Sequence, residues 1–474
     1  MNTTMPVQPQ YEVSADDKKR QQIIADAWKA YHGQLDKPLK PMPDEPDDNV
    51  MSNRCQPIVD RGVDFLFGKP LGITIEEDGP DEAQQALEDT WGKNEARLPL
   101  LQKLAMSGGV AGQAFLRIVP DNKGNFRLIV VDPQTVFVQT APQDCETVLL
   151  YCIEYSMIEK INGQPKQVFY HEEIMRIDPD GNASQGMPDD DDTWTIQHWT
   201  RVGDRGPWTP SGEPIAWPYN FSPLFSNQNL PYPHSFYGVP DITPDLIGMN
   251  NSLNFVQSNI SRVNKLYGQP VIFTTGMAES SIALQPGRAI GLPPGATMGA
   301  VPIVSDMTNS LAFAADLRSD MDEQSAIPAV VLGRMHDLPK GQISGVTMEL
   351  MFMPATQKTE KKRCLYGKTI LDVSKALLIL GHFSADIDVS LQWQSPLPDD
   401  DLASVQAALA KQQLGVSNQT LISELGYDPD QETDKNDAEN AQAMTNFSRG
   451  TGLPPQQPAP NEAAPQPSPF IGGQ

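Results

Sequence analysis

Apolar residues along 242–267 recur at alternating steps of four and three: Ile242, Leu246, Met249, Leu253, Val256, Ile260, Val263 and Tyr267. On a helix this spacing holds one seam on a single face for about seven turns, the pattern of a helix packed lengthwise against other helices. The positions between are mostly small or amide residues, among them Asn250, Asn251, Ser252, Asn254, Gln257, Ser258, Asn259, Ser261 and Asn264, with few charges. Asp241 or Thr243 supplies the N-cap, Pro244 falls in the first turn, and Gly268 and Pro270 stop the helix. Taken alone, such a segment reads as a core helix of a large α+β domain. The rest of the chain changes that weighting.

Upstream, residues 15–31 read as a helix with Ile23, Ile24, Ala27 and Trp28 along one side, followed by a Pro-rich connector. A second helix carries Ile58, Val59, Val63, Leu66 and Phe67 inward, Gly68-Lys69-Pro70 breaks it, and a strand starts at 72–75. Residues 81–94 and 98–107 are helical in pattern, the latter ending at Gly108-Gly109. From 114 to 215 the period turns to two. A hairpin with its turn at 121–125 is followed by strands at 135–139, 148–155, 167–170, 173–177 and 193–200, an antiparallel, meander-like α+β domain. The aromatic, proline-rich stretch 208–240 reads as a loop leading into the seam helix.

Beyond it, 271–304 holds two or three short strands. Residues 309–327 form a second helix with Leu311, Ala314, Leu317 and Met321 on one face. A Gly/Pro-rich loop, 328–345, precedes a long helix to Leu380, where Pro354 predicts a kink and Tyr366, Ile370, Val373, Leu377 and Leu380 form a further seam. A strand at 388–393 and two acidic helices, 402–414 and 418–425, close the fold.

The chain has 474 residues, enough for two or three ordinary domains or one long multi-part subunit. Sixty acidic against 35 basic residues give a net charge of −25. That argues against tight wrapping of nucleic acid, which needs clustered Lys and Arg to release counterions, and is compatible with DNA that slides past a repulsive wall. The four cysteines lack CxxC spacing and read as reduced thiols of a cytoplasmic protein. No stretch approaches a membrane span, and the first 22 residues lack the apolar run of a secretory signal. Of the 43 prolines many cluster at 37–47 and 453–469, so both ends read as extended or disordered.

Candidate chemistry is sparse. There is no phosphate loop, nucleophile elbow, zinc-protease motif or dinucleotide fingerprint, and the six histidines lie far apart. The acidic run 189–192 could hold a divalent cation in a metal-dependent hydrolase, although consecutive aspartates beside Met-Pro are more often a solvated turn. The densest basic stretch is Lys358, Lys361, Lys362, Arg363, Lys368 and Lys375, preceded by Arg334 and Lys340. It is either a solvated helix face or a surface for phosphates or an acidic neighbouring subunit.

The order of these pieces resembles the portal, or head-to-tail connector, proteins of tailed bacteriophages. The resemblance rests on Asn53-Arg54-Cys55 with Ile58-Val59-Asp60, on Phe67-Gly68-Lys69-Pro70, and on Val131-Asp132-Pro133. It continues in the run His234 to Asp241 before the Asn-rich helix and in Ile343-Ser344-Gly345 after the loop. Together these cover most of 50–425. The resemblance implies an α+β subunit of a ring of about twelve copies around an axial channel. Residues 1–49 are then an N-terminal helix and Pro-rich arm, 50–240 the wing, 241–268 and 309–327 the two stem helices, and 269–308 a small β clip. Residues 328–345 correspond to the tunnel loop, 346–394 to the kinked long helix and a wing strand, 395–445 to helical crown, and 446–474 to a disordered tail.

The implied role is non-enzymatic, with no cofactor or metal. The ring sits at one capsid vertex for DNA packaging, retention and ejection, and is assembled in the cytoplasm of a host bacterium. Implied partners are other copies of the chain, weakly and non-specifically held double-stranded DNA, the terminase large subunit, head-completion and neck proteins, and the major capsid and scaffold proteins, without a membrane. Arg334, His336 and Lys340 would face the DNA from the tunnel loop. Amide-rich helix faces would suit a channel wall. A different capsid-associated structural or scaffold protein is the remaining reading.

Overall fold

The computed structural model describes residues 8–41, 47–75, 80–121, 125–184, 186–268, 272–276, 292, 294–301, 307–334, 345–384, 386–397 and 411–412. The chain divides into two compact units, Met1–Pro396 and Leu397–Gln474. Only residues 397 and 411–412 of the second are described, so the closing acidic helices otherwise lie outside the described residues. His336, Lys340 and most of 269–308 lie outside them too.

Helix α1 (Ala15–Tyr31) opens with a capping box: the Asp17 N–H donates to Ser14 Oγ at 3.1 Å, and the Ser14 N–H donates to the Asp17 carboxylate at 3.0 Å. Helix α2 (Cys55–Phe67) buries Ile58, Val59, Val63, Leu66 and Phe67, one face of a 3.6-residue period. Strand β1 (Gly72–Ile75), helix α3 (Asp81–Trp91) and a 3₁₀ turn at Asn94–Arg97 lead to α4 (Leu98–Ala111). Contrary to the sequence expectation, α4 runs straight through Gly108-Gly109. These glycines are sites of close approach: a Cβ on Gly108 would overlap the Tyr366 hydroxyl, and one on Gly109 would sit 2.9 Å from an Asp241 carboxylate oxygen. The helix ends instead at Gly112, whose φ of +80° suits the left-handed stop.

Strands β2 (Gln113–Pro120) and β3 (Phe126–Val131) form the expected hairpin. The larger sheet contains β4 (Val136–Ala141), β5 (Asp144–Ile161), β6 (Gln164–Ile177), β7 (Thr193–Val202) and β8 (Thr209–Pro210) in that order, with β9 (Ile215–Trp217) also paired to β7. The runs 167–170 and 173–177 are one strand. The expected single meander is therefore divided, because β10 (Leu224–Gln228) pairs with β2 in the smaller sheet, inside the stretch read as loop. Buried amides hide it from a hydrophobicity pattern: Asn227 and Asn229 are both enclosed, and Asn229 bonds to Gly112 and Val239 backbone.

After β10 come helix α5 (Pro244–Gly268), the antiparallel strands β11 (Ile272–Thr275) and β12 (Thr297–Ala300), and helix α6 (Thr308–Ser325). Helix α7 (Gly345–Leu380) passes through Pro354 as one helix and buries Tyr366, Ile370, Val373, Leu377 and Leu380. Strand β13 (Val389–Gln392) then returns to pair with β1. The main core joins α1 to α4, α7 and the sheets, with Phe67, Phe115 and Tyr366 fully enclosed.

Candidate functional site

Helices α5 and α6 pack against each other in a smaller, separate core containing Leu246, Leu253, Ala314, Leu317 and Met321, flanked by Met249 and Val256. Apart from Ser258 and Ala314, the buried residues of α5 lie in its first half and those of α6 in its second. The two helices therefore run antiparallel. Of the expected seam, Ile242, Leu246 and Leu253 are enclosed, whereas Ile260 and Val263 are half-buried and Tyr267 is 61% exposed. Leu311, also expected inward, is 57% exposed, as are Phe313 (52%) and Phe255 (49%). Among the described residues, the apolar seam of the helix pair is thus covered mainly in its lower half.

The base of the pair is fixed by two buried acids. Thr243, not Asp241, caps α5: the Leu246 N–H donates to its Oγ1 at 3.3 Å. Asp241 instead turns inward, where its N–H donates to the Gly109 carbonyl at 2.7 Å. Its carboxylate meets Lys358 Nζ at 2.7 Å and Lys362 Nζ at 2.6 Å. Burial raises the Asp241 carboxyl, but the two ammonium groups outweigh it and hold its pKa at about 2. The second acid, Asp322, accepts from Arg54 Nη2 at 2.8 Å and also pairs with Arg334. It joins the start of α2, the end of α6 and the turn after it. A cavity of about 340 Å³ opens beside the first acid, lined in part by Asp241, Thr243, Ser325 and Lys358.

This geometry corrects the reading of the basic stretch. Lys358 and Lys362 are internal counterions, and Arg363 lies 5.1 Å from the Trp393 ring centre and bonds to Glu360 and the Gln394 carbonyl. Of the four, Lys361 alone is exposed. Arg334, expected to face DNA, is directed at Asp322 within the chain. The spacing of lysines along α7 could not disclose this, because their common partner lies more than 100 residues away.

The amide face is divided: Asn251, Ser252 and Asn264 are exposed, whereas three of its members turn inward. Asn250, Asn254 and Ser258 are fully enclosed, beneath residues 48–54 of the same chain. Their regular spacing of four was legible; the partner was not. In the acidic run, Asp192 is 4% exposed and closes its own loop, accepting from the Asp189 N–H at 3.2 Å and from Ser184 Oγ. Among the described residues no cluster of His, Cys, Asp and Glu side chains could hold a metal ion, and no helix is long and apolar enough to cross a membrane.

No curated protein matches the chain. Similar solved structures include a chain from the neck of a native GTA particle computed with C12 symmetry. It is 14% identical, with 79% of this chain and 90% of that chain covered at a TM-score of 0.42. Another comes from the virion of a native gene transfer agent (GTA) particle, 14% identical, with 86% and 94% covered at a TM-score of 0.41. Residues 11–446 match the family described as phage portal protein, SPP1 Gp6-like. The chain belongs to that family, and its role is that of a portal: a structural, non-enzymatic protein that forms the channel at the capsid vertex of a phage-like particle.

Proposed function

We propose that about twelve copies close into a ring in which α5 and α6 form the stem around an axial channel, with β11 and β12 in the clip and residues 50–240 in the outer wing. Double-stranded DNA passes through without lasting contact. The channel docks a terminase large subunit during packaging and head-completion or neck proteins afterwards, and capsid and scaffold proteins surround the ring during assembly in the host cytoplasm. Movement of DNA is driven by that separate motor.

The observation that carries this reading is the half-covered seam: Tyr267, Leu311 and Phe313 are left open on a helix pair whose base is firmly fixed. Neighbouring copies supply the missing cover. The open side of α6 bears Asp316, Asp320 and Glu323, which repel phosphate and so favour sliding over sticking. Light scattering on the purified chain tests the ring. A species near 0.6 MDa, about twelve chains of 52.0 kDa, is expected; a monomer at every concentration would overturn it.

A further inference from the structure

Residues 48–54 run along α5 as an arm, antiparallel to the helix and turning helical at Arg54, and every second arm residue meets every fourth helix residue. The Arg54 N–H donates to Asn250 Oδ1 at 3.0 Å, while Asn250 Nδ2 donates to the Ser52 carbonyl at 3.0 Å. The Ser52 N–H donates to Asn254 Oδ1 at 2.9 Å. Ser258 Oγ accepts from the Val50 N–H at 2.9 Å and donates to the Val50 carbonyl at 3.3 Å. Arg262 closes the row with a fork on Asp48, at 2.9 and 2.6 Å.

The two spacings agree. Four helix residues advance about 6.0 Å along the axis, or about 6.7 Å along the inclined row they form on the surface. Two strand residues advance about 6.6 Å. Register therefore holds over three steps without strain, and Asn and Ser are suited to the row because their side chains can both donate and accept.

We propose that this row is a clasp that sets the lean of α5, making Asn250, Asn254, Ser258 and Arg262 positioning residues for the channel wall. The functional part of this statement rests on the stem assignment above. The arm is itself tied down on its other side: Asn53 Nδ2 donates to the Tyr31 carbonyl at the end of α1, and Arg54 reaches Asp322 of α6. Behind it, Asn49 makes two bonds to Leu39 backbone, and Arg262 bonds to the Lys40 carbonyl. The clasp thus couples α5 to α1 and α6 along a length where its apolar seam is only half covered. At Val50 and Ser52 the row reads backbone alone, so side-chain identity there is free. At position 48 it reads a carboxylate.

Hydrogen exchange on the full chain, with ring mass measured in parallel, tests this. Asn250→Ala with Asn254→Ala should speed exchange in 48–54 and in 255–268 by about tenfold or more, with β5 to β7 unchanged. Val50→Pro, which removes the N–H donated to Ser258, should do the same, whereas Val50→Ala should be silent. Arg262→Asp should open the clasp and Asp48→Arg in the same chain should restore it. An α5 that keeps its protection while the arm exchanges freely overturns the clasp, as does a loss of protection that spreads through the sheets. Loss of rings from the unsubstituted chain would overturn the stem assignment and leave the clasp standing.

Discussion

The sheet-bearing body and the α5–α6 pair are stabilised by different means. In the body, α1 to α4 and α7 enclose a continuous apolar interior, with Phe67, Phe115 and Tyr366 fully buried. The helix pair has a small core, and its position depends on two buried acids and a row of side chains clasping an arm. A region sealed by apolar packing keeps its interior closed within one copy, although β5 still exposes Met157 and Ile158 at its outer end. A region pinned by directed polar contacts, with open aromatic and aliphatic residues above, is set at a defined angle for something else to complete.

The sharpest way to break this contrast is Asp241→Ala. It strands two ammonium groups in a buried site and should cost about 3–5 kcal/mol in denaturant unfolding. A loss below about 1 kcal/mol would remove Asp241 from the account. The same acid sets a pH limit. Its folded pKa lies below the ordinary carboxylate value, so its contribution is complete above about 4 and should fade as pH falls toward 2.

Next in size is Gly108→Ala in α4. The new methyl meets the Tyr366 hydroxyl and should cost about 1–3 kcal/mol. Adding Tyr366→Phe should recover part of that loss, since the hydroxyl oxygen is the nearest atom. No recovery would place the strain in the helix backbone.

Much of the fold is legible in the sequence where one periodicity dominates: α1, α2, the β2–β3 hairpin and α5 stand where apolar spacing and turn residues put them, although Ile23, read with the apolar side of α1, is 40% exposed. It fails where polar groups are buried. Strand β10 is obscured by Asn227, and Gly108-Gly109 resemble a helix stop although they are sites of close packing. The fate of Lys358, Lys362 and Arg334 depends on Asp241 and Asp322, which no local pattern connects to them. The amide stripe on α5 was visible, yet its occupant lies about 200 residues upstream.

A smaller effect is expected from Arg334→Ala, about 1 kcal/mol, because Asp322 keeps Arg54. If that substitution alters DNA retention in assembled rings and leaves stability unchanged, Arg334 acts at the channel as expected from the sequence. The smallest effect concerns the body. His171 is enclosed between Glu154 and Glu173, both at 3.1 Å, and Glu173 also accepts the Tyr11 N–H at 2.7 Å. Burial lowers the imidazole pKa, but the two carboxylates more than offset it and raise it above its ordinary value. Its stabilisation is therefore complete below about pH 6.5 and fades as pH rises through the raised value. The protection of the Tyr11 amide, relative to its intrinsic base-catalysed exchange, should fall over that range, and His171→Gln should remove that fall.

The most direct measurement is a reconstruction of the assembled protein at side-chain detail. The account predicts a closed ring with α5 and α6 nearest the axis, Tyr267, Leu311 and Phe313 covered by neighbouring copies, and residues 48–54 still lying on the Asn250–Arg262 row. A single-copy particle, or a ring with α5 and α6 on its outer rim and those residues still open, would contradict it.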